Sequence, residues 1–116
     1  MAKYRVAIGD MLQVPVKGEI NDADKVVKFD FTLTVRRLDT TDQSSKLSGA
    51  DYLRAHTSAW KGQRLVIDEE TGHPAEFSAE ALEVMFSIVG MESVCWSAYL
   101  QAMRISETPA GRRGNS

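Results

Sequence analysis

Two histidines, a run of carboxylates and one cysteine are the residues of this chain whose types could do chemistry. Asp68, Glu69, Glu70 and Glu76 surround His73 in one short stretch. Hard divalent cations favour several carboxylate oxygens on one loop, so the stretch could hold a metal for hydrolysis. The spacing of an EF-hand, D-x-[DN]-x-[DN]-G, is missing. Glycine after an acidic run is also what an exposed hairpin turn requires. We read the segment as that turn and expect no metal. His56 lies on a different element, and Ser44-Ser45 has no histidine near it in sequence, so no triad can be assembled from local pattern. Gly90-Met91-Glu92-Ser93 precedes a helix, where an anion can sit, but no glycine-rich phosphate fingerprint accompanies it. Cys95 lies in an apolar stretch and reads as a small buried hydrophobe rather than a nucleophile. No catalytic residue, metal ligand or cofactor site is therefore expected.

The elements that would position these residues follow from hydrophobic period. Tyr4, Val6 and Ile8 alternate with polar or small residues, and Gly9-Asp10 marks a turn. Leu12, Val14 and Val16 alternate next, which predicts an N-terminal hairpin over Lys3–Glu19. Pro15 lacks a backbone donor and confines that second strand to an edge or a bulge. Asn21–Asp24 reads as a turn. Phe29, Phe31, Leu33 and Val35 then form one face of the clearest strand, with Lys28, Asp30, Thr32, Thr34 and Arg36 on the other. Asp39–Gly49 reads as a loop or the capped start of a weak helix. Ala50–Lys61 reads as a helix closed by Gly62 at C′. Leu65-Val66-Ile67, the acidic turn and Pro74–Phe77 make a small hairpin. Ser78 caps a helix with Leu82, Met85, Phe86 and Val89 on its apolar stripe. Gly90 breaks it, and a last helix runs from Met91 to Ser106.

That last helix has an apolar arc wider than one core-facing side needs. Val94, Ala98, Ala102 and Ile105 form one stripe. Trp96, Tyr99, Leu100 and Met103 form another. Either the helix sits between the sheet and the preceding helix, with both stripes covered, or one stripe meets another protein chain, a role suited to Trp and Tyr. The candidate protein-binding residues are Met91, Trp96, Tyr99, Leu100 and Met103. Trp60 is expected to close the core over the hairpin, with Met85 and Phe86 inside it. The fold class is α+β: an N-terminal antiparallel sheet or hairpin, then about three helices with a small inserted β-hairpin. One domain spans 1–107, and 108–116 is a flexible polar tail.

Bulk properties narrow the partners. The 116-residue chain carries a net charge of -2, where a nucleic-acid binder would show a basic balance. The hydrophobic fraction of 43% and charged fraction of 26% are those of an ordinary soluble domain. One cysteine excludes an intramolecular disulfide. No stretch has the length of a membrane span and the N-terminus lacks a signal-peptide core, so a cytosolic location is expected.

One segment is more specific. Trp60-Lys-Gly62 leads into a short strand, and Asp68, Glu69, Gly72, Pro74, Phe77, Ser78, Glu80 and Leu82 follow in the order D-E-x-x-G-x-P-x-x-F-S-x-E-x-L. This resembles the tail assembly chaperones of long-tailed bacteriophages. Phe29–Leu38 resembles the amphipathic strand of that family, Ala98–Ala102 its final helix, and Gly111–Asn115 its basic, Gly/Asn-containing end. Asp39–Ala50 departs from it, being richer in serine and threonine than the family's acidic helix, and the Lys3–Glu19 hairpin is longer. The resemblance implies a non-enzymatic protein of the host bacterial cytoplasm. It would coat the tape measure protein during tail morphogenesis and give way to tail tube subunits. From the residues themselves we expect a homo-oligomer that binds neither nucleic acid nor membrane. The alternatives are a structural tail or head–tail connector component of the virion, and a small metal-dependent hydrolase built on Asp68–Glu76 and His73.

Overall fold

The computed structural model describes residues 3–39 and 49–106. The expected loop or weak helix over Asp39–Gly49 lies almost wholly outside these residues, as does the polar tail 108–116.

The fold is α+β. Strands β1 (Met11–Asp22) and β2 (Lys25–Arg36) form a long antiparallel hairpin. A short helix, α1 (Gly49–His56), runs directly into β3 (Thr57–Lys61), which pairs antiparallel with the other edge of β2. The strand order is β1-β2-β3. Helices α2 (Ala79–Phe86) and α3 (Met91–Met103) complete the chain. α3 packs on β1, α1 and α2.

The register follows from the alternation. Val14 sits opposite Leu33, Val16 opposite Phe31 and Gly18 opposite Phe29. All the large side chains of these pairs are buried, so a slip of one residue would turn the row into solvent. A Cβ at Gly18 would overlap the Phe29 ring that lies across it, so any side chain there would have to displace that ring. The Arg37 N–H donates to the Asp10 carbonyl, one step beyond the Met11–Arg36 pair. Antiparallel alternation then directs the Pro15 nitrogen away from β2, onto the open edge, where a missing donor breaks no rung. Leu53, Leu82, Met85, Cys95 and Tyr99 join the sheet's apolar face in one core. Truncating a fully buried member such as Leu82 to alanine costs about 2–5 kcal/mol.

Four expectations need correction. Tyr4–Ile8 alternates like a strand but is in no sheet; Arg37 bonds the Gly9 and Asp10 carbonyls, so the chain enters β1 from beyond the sheet's end and does not fold back along the outer edge of β1. The N-terminal hairpin is instead β1 with β2, turning at Ala23-Asp24. The helix read over Ala50–Lys61 stops at His56. β-Branched Thr57 and aromatic Trp60 suit a pleated surface, and β2 offers them an open edge, so Gly62 follows a strand and not a helix. A bulge at Ser58 takes up the change of direction between the Val35–Thr57 and Thr34–Ala59 pairs. Finally, α2 ends at Phe86, leaving Val89 exposed, and α3 ends at Met103, leaving Ile105 exposed beyond an extended Arg104.

Other expectations are met. The Ser78 hydroxyl accepts from the Ala81 N–H at 3.0 Å and starts α2. Gly90, at φ 92°, separates α2 from α3. Ile67 bridges to Pro74, and Asp68 and Ala75 donate their N–H groups to the carbonyls of His73 and Val66, both at 2.9 Å. The expected hairpin is thus present in minimal form.

Candidate protein-binding surface

The face of α3 that enters the core runs through Met91, Cys95 and Tyr99, at i, i+4 and i+8. This is neither of the two stripes read from the sequence. Met91 and Tyr99, offered above as contact residues, are buried and present no free surface. Burial pushes the Cys95 thiol up to about 12, as a small core hydrophobe requires. Tyr99 is held more tightly still. Its hydroxyl donates to the Arg36 carbonyl at 2.7 Å, and the Tyr52 hydroxyl donates to the same oxygen at 3.0 Å. Burial, then the hydrogen bond with Tyr52, raises the Tyr99 phenol well above its ordinary value.

Trp96, Leu100 and Met103 lie at i, i+4 and i+7 and share the neighbouring face. Trp96 is half-buried, stacked on Tyr99 at 5.3 Å between ring centroids and tilted against Tyr52 at 6.1 Å. Met103 is also half-buried, and Leu100 is 46% exposed. The aromatic layer beneath holds Trp96 in place while its outer surface stays open. Rigid aromatic surface flanked by adaptable Leu and Met side chains is the composition of a protein contact. On the other side of α3, Val94 and Ala98 face Pro15 and Lys17 of β1 across an open cleft.

Arg54 organises the helices. From α1 it donates to Glu83 of α2 and to Glu92 of α3, both at 2.7 Å, and lies 5.3 Å from the centre of the Phe86 ring. The hydrogen bond to Glu92 is the largest cause raising its guanidinium pKa. Gln63 does the same for the hairpin. Its side-chain amide donates to the carbonyls of Val66 and Ala75 and accepts from the N–H groups of Leu65 and Val66, all between 2.8 and 3.0 Å. Trp60 closes this corner as expected, donating from Nε1 to the Ala75 carbonyl at 3.0 Å and meeting Phe77 edge-on. Sequence reading missed Arg54, Gln63 and Tyr52. Of the Arg54 contacts only Asp51, at i-3, was visible as a local pattern.

The acidic segment is a folded turn. The Asp68 carboxylate accepts from the Glu70 N–H at 2.9 Å, and the Thr71 hydroxyl accepts from the His73 N–H at 3.2 Å. Among the described residues no three His, Cys, Asp or Glu side chains converge as metal ligands. Likewise, no single described helix is long and apolar enough to cross a membrane.

Comparison of the chain with protein-family models, curated proteins and solved structures finds no match.

Proposed function

We propose that this chain is a tail assembly chaperone of a long-tailed bacteriophage or prophage. In this reading it is a non-enzymatic protein of the host cytoplasm that coats the tape measure protein and yields to tail tube subunits. The observation that carries the reading is the open line of Trp96, Leu100 and Met103 along α3, supported from below by Tyr52 and Tyr99. A long helical client offers repeated apolar stripes. Many copies each make a weak contact with it, and avidity supplies the hold. Contacts of this kind release readily, as a chaperone that yields to tube subunits needs. The order of residues from Trp60 to Leu82 supports the same reading.

The test is co-expression with the tape measure protein of the same phage, followed by co-purification. Wild-type chain should keep the client soluble. Trp96→Ala with Leu100→Ser should lose it, without loss of folded structure by circular dichroism. Retention of the client by that variant would sink the assignment. The runner-up is a structural subunit of the tail or head–tail connector, favoured by the exposed apolar arm at Tyr4–Ile8. Mass spectrometry of purified particles separates the two, because a chaperone is absent from the finished virion.

A further inference from the structure

We propose that the N-terminal arm of one copy docks in the acidic groove between the 66–77 hairpin and α2 of a second copy. Between Lys3 and Asp10 the chain joins no strand, yet Tyr4, Val6 and Ile8 alternate along it and are 84%, 74% and 59% exposed. Three large, exposed apolar side chains close together along a short segment form a surface that needs a cover. The base of the arm is anchored: Arg37 donates from Nε to the Gly9 carbonyl at 3.4 Å and from its backbone N–H to Asp10. The arm therefore leaves the sheet from a fixed point. Within its own chain it lies beside Arg36, Arg37 and Leu38, and none of its residues lines the acidic groove.

The groove has the complementary character. It measures about 880 Å³ and has Ile67, Phe77 and Val84 in its walls, two of them half-exposed in the single chain. Asp68, Glu69, Glu70, Glu76 and Glu80 surround that apolar strip, and no lysine or arginine lines it. Among the described residues none of these carboxylates is in an ion pair. Lys3 and Arg5, which alternate in sequence with Tyr4, Val6 and Ile8, are not in one either. An extended arm set against the groove lays its apolar side on Ile67 and Val84. Its long basic side chains reach round to the acidic rim, as amphipathic cations do. The match of sign orients the arm and speeds encounter.

The occupant is a second copy because every copy carries both halves of the contact. A contact between two different surfaces of identical chains is heterologous, and it propagates into a ring or a filament. It deepens the homo-oligomer part of the proposed function, yet rests on charge and exposure alone. A test without client therefore stands or falls separately from the chaperone reading.

The experiment is sedimentation velocity over a concentration series at low ionic strength. It uses wild type, an arm reversal (Lys3→Glu with Arg5→Glu), a groove reversal (Glu69→Lys with Glu70→Lys) and an equimolar mixture of the two. Wild type should associate, and each reversal alone should weaken association by roughly tenfold or more. The mixture should regain it, because the reversed arm then meets the reversed groove. Tyr4→Ser with Val6→Ser should weaken association without altering charge. A wild-type chain that stays monomeric throughout overturns the proposal. So does association indifferent to both reversals, or a reversal that changes the shape of the monomer but not its mass.

Discussion

The Tyr99 hydroxyl donates to the Arg36 carbonyl across 2.7 Å and ties the middle of α3 to the end of the central strand. The last pair between β2 and β3 is Val35 with Thr57, so this carbonyl lies one residue past the end of the β2–β3 ladder. Tyr52 and Tyr99 reach it from two helices. Tyr99→Phe removes one donor while keeping the ring and should cost about 1 kcal/mol, read as a lower urea midpoint with unchanged m-value. Tyr52→Phe shares the acceptor, so the two substitutions should not be additive in a double-mutant cycle.

Alkaline pH should weaken the fold through Cys95. The unfolded thiol ionises near its ordinary 9.0, whereas the buried thiol holds its proton to about 12. Its contribution is fully present below 9.0 and is lost as pH rises toward 12, at about 1.4 kcal/mol per pH unit for this group. The raised Tyr99 phenol acts in the same direction at the upper end of that range. Urea unfolding from pH 8 to 11 should show falling stability, with a shallower fall in Cys95→Ala. The native thiol should also resist a thiol reagent at pH 8 and react once the chain is unfolded.

Thr57 opens β3 buried, and among the described residues its hydroxyl oxygen has no hydrogen-bond partner. Thr57→Val keeps the β-branched shape and removes the unsatisfied group. It should stabilise the fold by about 1 kcal/mol, seen as a higher melting temperature. An unchanged or lower value would mean the hydroxyl is satisfied in solution.

The β1–β2 turn holds Ala23 at φ 60°. A Cβ in this left-handed region costs roughly 1–2 kcal/mol, and glycine escapes it at some cost in unfolded-state entropy. Ala23→Gly should therefore raise stability by about 0.5–1 kcal/mol. Gly18→Ala is the opposite case, since the new Cβ meets the Phe29 ring; it should lower stability by about 1–3 kcal/mol. Thermal unfolding of the two variants beside wild type checks both signs.

Period-two alternation over Phe29–Val35 determined by itself that this segment is a strand, and which side of it is buried. Ser78 determined where α2 begins, Gly90 that α2 and α3 are separate, and Asp68–Gly72 that the chain reverses there. These signals are local, acting through side-chain period, capping and turn geometry over a few residues. Tertiary structure alone decided the rest. Thr57–Lys61 became a strand because the open edge of β2 was worth more than one further helical turn. Tyr4–Ile8, with an equally good strand pattern, remained an arm because Arg37 holds Gly9 and Asp10 at the end of β2, and the turn that would fold the arm back onto the outer edge of β1 does not form. On α3 the apolar residues outnumber the positions one core face can hold. Packing against β1 and α1 selected Met91, Cys95 and Tyr99 for the interior and left Trp96, Leu100 and Met103 at the surface. Arg54 and Gln63 bond partners brought near by folding, and no local pattern announces such partners.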